Sequence, residues 1–332
     1  MTTRPEAVID RVTLVVSDLD RAEDDYVRTF GCRVEQRGDI DPALTRVLCI
    51  RQARGRSSLL RLGRERIELL EFTAAAGRPY PLGSTSTDLW FQHMAIVVND
   101  MKHAYQRVMA NRRFRPISRN GPVRLPDSSG GATAFKFRDH DGHPLELLAF
   151  PEGRVPGEWR EANGTGPFLG IDHTAIGVSD SASSARFFGS VFGFSTGTRT
   201  ENRGREQADL DDVEEVDVSV TRLAPDLPAP RMELLHYHVG PRRPIPHDTA
   251  SNDIVATHSV VRVASLDATA AALARRGTPL SGDDLMILHS GLRAALVSGP
   301  DGHRFLAEER AEAATCAARN ALPACPESPA PG

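Results

Sequence analysis

Histidines stand at one recurring position in this 332-residue chain, and glutamates stand at another. His93, His173 and His258 each open a short run of β-branched and apolar residues, and in a related run the opening residue is Arg11. Glu68, Glu146 and Glu233 take the third position of a second kind of run, where the remaining example has Leu306. Imidazole nitrogen and carboxylate oxygen together form a donor set for a divalent ion, and a carboxylate beside such an ion can also move a proton. A lone histidine at a strand start is ordinarily a satisfied structural residue. Recurrence at one phase gives the ligand reading its weight.

Glu146 carries the argument furthest. Leu145, Leu147 and Leu148 surround it, and a run apolar on both faces is a buried strand. A buried carboxylate without a partner is costly, so it requires a proton, an arginine or a metal. The competing reading is an Arg–Glu ion pair, for which Arg66 and Arg231 are close in sequence to Glu68 and Glu233. With an imidazole at the same end of the strands, the metal is the preferred reading.

Such side chains meet only if repeated elements hold them in phase. Arg11–Asp18, His93–Asp100, His173–Asp180 and His258–Ser265 are versions of one strand-like opening. Each ends in Asp or Ser, which can cap a following helix. Tyr26, Phe30 and Gly31 correspond to Phe188, Phe192 and Gly193: a buried stripe at helical spacing, then a glycine suited to a left-handed C-cap. The matching stripes elsewhere are Ala104 with Val108 and Thr269 with Leu273. Further strand-like segments lead to the closing runs Arg66–Leu70, Pro144–Leu148, Arg231–Leu235 and Arg304–Glu308. Two of these follow Asp-Gly turns, at Asp141-Gly142 and Asp301-Gly302. The fold class predicted is α+β, with four β-α-β-β-β modules over 8–72, 91–150, 168–237 and 255–309. They group into an N-terminal domain, 8–150, and a C-terminal domain, 168–309, with a disordered tail over 310–332. Linkers are expected near Thr73–Leu89, Pro151–Pro167 and His238–Ile254.

These residues resemble the vicinal oxygen chelate superfamily, which includes glyoxalase I, bleomycin resistance proteins and type I extradiol dioxygenases. The resemblance runs from Val8 to about Glu308, and rests most on Ile171-Asp-His-Thr-Ala-Ile-Gly-Val-Ser-Asp180 and Asp141-Gly-His-Pro-Leu-Glu-Leu147. It implies paired modules closing into a cup around a divalent ion (Fe2+, Zn2+, Ni2+ or Mn2+) and a small-molecule substrate bound through vicinal oxygens. The family's ligand positions match His93, Glu146, His173, Glu233, His258 and Glu68; Arg11 and Leu306 depart from the pattern.

If modules two and three share a cup, it holds His93, Glu146, His173 and Glu233, and the resemblance implies lyase or isomerase chemistry with Glu146 or Glu233 as general base. The other cup would then hold Arg11, Glu68, His258 and Leu306. If neighbours pair, His173, His258 and Glu233 make the facial triad of an iron-dependent ring-cleaving dioxygenase. That version lacks the expected glutamate at Leu306, and Leu296 and Lys136 stand where a tyrosine is expected. The four-ligand cup is the preferred reading. A non-catalytic binding or resistance protein is the third.

Composition sets the outer bounds. With 40 basic against 44 acidic side chains and no basic block, nucleic acid and membrane surfaces are not expected partners. Met1–Asp10 lacks the apolar core of a signal peptide and no segment is apolar for long enough to span a bilayer, so a cytoplasmic protein is expected, as a monomer or homo-oligomer. Cys32, Cys49, Cys316 and Cys325 form no CxxC pair and read as reduced thiols. Asn202–Gln207 offers polar donors as a substrate loop or a solvated one, and Gly121–Gly131 reads as a flap. His140 and His143 flank a turn and are assigned to it rather than to a metal.

Overall fold

The structure is a computed structural model and describes residues 7–50, 52–160, 166–225, 230–280 and 285–310. The expected tail beyond Arg310, with Cys316 and Cys325, lies outside the described residues. The first module comprises β1 (Ala7–Val15), α1 (Leu19–Phe30), β2 (Arg33–Asp39), α2 (Pro42–Val47), β3 (Arg54–Leu62) and β4 (Glu65–Ala74). The second has β5 (Gln92–Val98), α3 (Met101–Ala110), β6 (Arg115–Pro116), β7 (Val123–Arg124), β8 (Thr133–Arg138) and β9 (Pro144–Ala149). After the short α4 (Gly157–Arg160), the third has β10 (Phe168–Gly177), α5 (Ser181–Val191), β11 (Ser195–Arg203), α6 (Arg205–Asp211), β12 (Asp217–Ala224) and β13 (Arg231–Tyr237). The fourth has β14 (His258–Val263), α7 (Leu266–Arg275), β15 (Met286–Ile287), β16 (Leu292–Ser298) and β17 (Arg304–Arg310).

The module helices form where the cap and stripe residues require. Asp18, Asp100 and Asp180 accept from the backbone N–H groups of Arg21, His103 and Ser183, and Ser265 accepts from Ala268. Each such cap contributes about 1 kcal/mol. Along α1, Leu19, Ala22, Tyr26 and Phe30 make the buried stripe, and Gly31, at φ 77°, ends the helix by donating to the last carbonyls. Phe30 packs against Phe114, Phe137 and Phe168, so Phe30→Ala would cost about 3–5 kcal/mol.

Two sheets result, and their order decides the module pairing. One runs β15-β16-β17-β14-β1-β4-β3-β2 and the other β11-β12-β13-β10-β5-β9-β8-β6, with β7 alongside β8. Within a module the first and last strands are parallel, as for β5 with β9 and β10 with β13. Modules join through antiparallel first strands: β10 beside β5, and β1 beside β14. Modules two and three therefore share one sheet and modules four and one the other. The face of each strand turned away from its cup feeds a core shared by chain neighbours. Val12, Leu14, Phe30, Ile96, Val108 and Leu147 belong to one such core; Ile176, Phe188, Phe192, Val261, Leu273 and Phe305 belong to another.

Duplication of a two-module unit shows in the clamps. Ser17 donates from its backbone N–H and hydroxyl to Asp141, and Ser179 does the same to Asp301. His143 Nε2 lies 3.0 Å from the Ile254 carbonyl, and His303 Nε2 lies 2.7 Å from that of Leu89. The linkers cross each other through Arg78 on Asp253 and Arg243 on Asp88. These are the same contacts made twice, relating module one to three and two to four.

Candidate metal centre

The alternation along β5, β9, β10 and β13 sorts the side chains. Met94, Ile96, Leu145, Leu147, Met232 and Leu234 face the helices, leaving His93, Glu146 and Glu233 on the other face. On β10 the sorting is altered by a bulge. Register with β5 shifts between Ile171, opposite Ile96, and His173, opposite Ala95, so Asp172 is the extra residue. A bulge re-aims side chains, and here it lets Asp172 and His173 reach each other.

His93, Glu146 and His173 are buried, and one donor atom from each lies within 4.8 Å of the others. His93 Nε2 lies 2.8 Å from Glu146 Oε2, yet the N–H direction misses the oxygen and neither ring nitrogen of His93 has a hydrogen-bond partner. Two donors that converge without hydrogen-bonding each other suit a shared ion. Ligands about 2.1 Å from a metal sit about 3 Å apart when adjacent. His173 Nδ1 lies 3.0 Å from Asp172 Oδ2, which leaves Nε2 toward the cup. Asp172 is held in turn by the Trp159 indole N–H and by Arg231. A carboxylate that fixes the tautomer and aim of a ligating imidazole is the usual outer partner of a metal site. The residues present therefore fit a divalent ion.

Electrostatics follow the geometry. Burial, then the charge of Lys136, pushes the His93 pKa below its ordinary value, which keeps the imidazole neutral. Burial pushes the Glu146 carboxyl up, but the close approach of the His93 ring, followed by the charges of Lys136 and His173, outweighs it and holds it down at about 2. Burial opposes charge on His173 too, but Glu233, Asp172 and Glu146 outweigh that and raise its pKa. These carboxylates make a place for positive charge.

Glu233 stands at the edge of the trio. Its Oε2 is 3.4 Å from His173 Nε2, while its Oε1 accepts from Arg222 at 3.0 Å. The ion-pair reading thus holds for this glutamate, with a different arginine. Arg231, the sequence neighbour, goes to Asp172 and Glu158, whereas Arg222 lies across the β12–β13 ladder, directly opposite Glu233.

The structure does not bring His258 to this group. It opens β14 in the other sheet, near Thr13 of β1, with both nitrogens unpartnered, and burial lowers its pKa to about 3. In that second cup Arg11 stands where an ion would and donates to Glu68 and Glu308. Beside it Val15, Leu44, Val47, Leu70, Val260 and Leu306 pack into an apolar cluster. His143 serves its turn as expected, with Nδ1 on Asp139. Another trio, Glu201, Asp217 and His238, is more exposed, and Arg199 and Arg203 pair with its acids.

Three features escape a reading of the sequence. Asp172 is one; its signal was the repeated Ile-Asp in Ile9-Asp10-Arg11 and Ile171-Asp172-His173, since β1 carries the same bulge between Ile9 and Arg11. The second is Lys136, buried beside Glu146 on β8 and bonded to Asp211 at 2.6 Å. The third is α6 itself. Asn202 and Gln207 are buried and bond each other rather than lining an open loop, and Gln207 and Tyr237 both donate to Asp211.

The chain belongs to the Glyoxalase/Bleomycin resistance protein/Dioxygenase superfamily, whose family model matches residues 8–147 and 170–306. Among solved structures it is similar to glyoxalase I from Zea mays, at 15% identity and TM-score 0.60, covering 92% of this chain and 93% of that one. A variant of the same maize protein gives TM-score 0.62 at 14% identity, covering 92% and 95%. A candidate dioxygenase from Bacillus subtilis gives 0.55 at 14%, covering 93% and 86%. No curated protein sequence matches the chain at a significant level. At such identities the likeness is one of fold. Proteins of this superfamily bind small molecules and typically use a divalent metal, and no helix among the described residues is long and apolar enough to cross a membrane.

Proposed function

We propose that the chain is a metal-dependent enzyme of glyoxalase-like lyase or isomerase type. Its divalent ion is held by His93, Glu146 and His173, and its substrate is a small molecule with two adjacent oxygens. The observation that carries this is the convergence of one donor atom each from buried His93, Glu146 and His173 on one point, with neither ring nitrogen of His93 engaged elsewhere. A bound ion there would supply Lewis acidity to the oxygens of the substrate.

The chain's own residues do the rest. Asp172 keeps His173 Nε2 aimed at the cup. Glu233, with one oxygen on Arg222 and the other toward His173, is placed to take a proton from a substrate carbon next to one of its oxygens and return it nearby. Arg222 keeps that carboxylate out of the ligand set. The chain's contiguous halves, 8–150 and 168–309, each built round its own core, are the proposed domains.

A second reading, an iron-dependent ring-cleaving dioxygenase, has one observation in its favour: two imidazoles and one carboxylate converge, the facial-triad composition. It would use His93 in place of His258. Turnover separates the two. Metal-loaded protein is given a panel of α-hydroxycarbonyl compounds and, separately, catechols in an oxygen electrode. Isomerised or cleaved product without oxygen uptake is expected; uptake with a catechol would replace the first reading by the second.

A further inference from the structure

The two cups provide an internal control for what the fold requires. Lys136 lies opposite Glu146 across the β8–β9 ladder, and Leu296 lies opposite Leu306 at the same place across β16–β17. One cup fills this position with a leucine pair packed into an apolar cluster. The other fills it with a lysine and a carboxylate, and adds a second carboxylate, Asp211, from α6. The Lys136 and Asp211 side chains are 4% and 0% exposed. Burying such a pair stabilises a protein no better than apolar packing. Since the sister cup manages with leucines, packing does not account for the charges.

Asp211 is the last residue of α6, and it is fully used: Oδ1 accepts from Lys136, and Oδ2 from Tyr237 and Gln207. The helix is fastened to module two by Ser118 on the Leu210 carbonyl and the Arg119 N–H on the Asp209 carbonyl, and to the linker before that module by Ser86 on the Asp211 carbonyl. Its flanks, Gly204 at φ 89° and Asp212 at φ 53°, have left-handed backbones. Two further cations stand near the trio, each on a carboxylate of the site: Arg222 on Glu233 and Arg231 on Asp172. Arg222 is 37% exposed and Arg231 28%, whereas His93 and Glu146 behind them are 2% and 8% exposed. Beside Glu146 the Lys136 ammonium has a protein carboxylate, Asp211, as its present partner.

We propose that Lys136 is the substrate-selecting residue of this cup: it takes a carboxylate oxygen of a small 2-oxo or 2-hydroxy acid, displacing Asp211, which occupies that place in the structure. This rests on the metal-centre reading above. An acid of that kind has one carboxylate oxygen and the adjacent oxygen for chelation, which leaves its other carboxylate oxygen as an acceptor for Lys136. The Asp211 carboxylate mimics that group, so a bound acid and α6 compete for one ammonium.

The test is calorimetric titration of manganese-loaded protein with pyruvate and with acetoin, a neutral molecule of similar shape. Manganese is counted in every sample before and after. Wild type is expected to prefer pyruvate by at least about 10-fold. Lys136→Met loses at least about 30-fold in pyruvate affinity, the scale for removing one partner of a buried charge pair. Acetoin binding and the manganese count stay the same. Asp211→Asn, which removes the competing charge, binds pyruvate more tightly than wild type. Should Lys136→Met fail to fold because Asp211 is left unpaired, the double variant with Asp211→Asn removes both charges and is read in its place. Unchanged pyruvate affinity without Lys136, or weaker binding in Asp211→Asn, overturns the proposal while the manganese count upholds the centre. A wild type that binds no manganese removes both.

Discussion

Asp172 reaches Nδ1 of His173, its immediate neighbour, at 3.0 Å because a one-residue bulge in β10 interrupts the alternation that would turn them to opposite faces. The contact couples a backbone irregularity to the aim of a ligand. Asp172→Ala should keep the fold and lower divalent-metal affinity about 10- to 100-fold, the usual cost of losing a second partner of a ligating imidazole. Manganese titration of both proteins reads this, and equal affinities would show that β10 aims His173 unaided.

Glu233 is predicted to act outside the metal's ligand set. Glu233→Ala should retain one ion per chain and lose about 100- to 10,000-fold in turnover, the range for a general base. Arg222→Ala should free the same carboxylate to join His173, tightening metal binding. Metal counting paired with turnover separates these, and loss of the ion in Glu233→Ala would make this residue a ligand.

Much of this was legible in the sequence because it is local and periodic. The openings at Arg11, His93, His173 and His258, the caps at Asp18, Asp100, Asp180 and Ser265 and the stripes at Tyr26–Phe30 and Phe188–Phe192 depend on near neighbours. The His–Glu phase was legible for the same reason, since alternation fixes which face each residue takes. Module pairing was not, because β5 meets β10 and β1 meets β14 over long separations that no local pattern encodes. Arg222 was missed because its closeness to Glu233 is a cross-strand register, and Asp211 because α6 interrupts a stretch read as strands and loop.

The His143–Asp139 clamp predicts how stability depends on pH. Burial opposes charge on His143, but Asp139 outweighs it, and both ring nitrogens face acceptors, at Asp139 and the Ile254 carbonyl, so the imidazolium is satisfied. A histidine pKa raised on folding contributes stability that is full below the ordinary value of 6.5 and is lost as pH rises through the folded value. Burial likewise opposes the lowering of the Asp139 pKa, which His143 outweighs, so its share persists above 3.8 and goes only on further acidification through the folded value. The His143 share of the pH slope in urea unfolding should therefore be a loss of stability from pH ~6 to mildly alkaline buffer, set against His93, His258 and His303, whose burial-lowered pKa values act with the opposite sign. His143→Gln should reduce that slope and cost about 3 kcal/mol at the lower pH. An unchanged slope would place the titrating group elsewhere.

The crossing linkers are predicted to be structural. Asp88 is fully buried and accepts from the backbone and guanidinium of Arg243 and from the Thr85 N–H. Asp88→Ala leaves these donors unmet, with an expected loss of about 3 kcal/mol. Asp253→Ala, at the repeat-related crossing on Arg78, should cost a similar amount. Urea denaturation of both variants checks this; a loss under about 1 kcal/mol would mean that water replaces the clamp.

His93, Glu146 and His173 are predicted to hold one divalent ion, with His258 taking no part. Cobalt titration followed by visible absorption checks this in wild type, Glu146→Gln and His258→Ala. One ion per chain is expected in wild type and in His258→Ala, with affinity at least about 100-fold weaker in Glu146→Gln. Absence of stoichiometric cobalt in wild type, or its loss on changing His258, would contradict it.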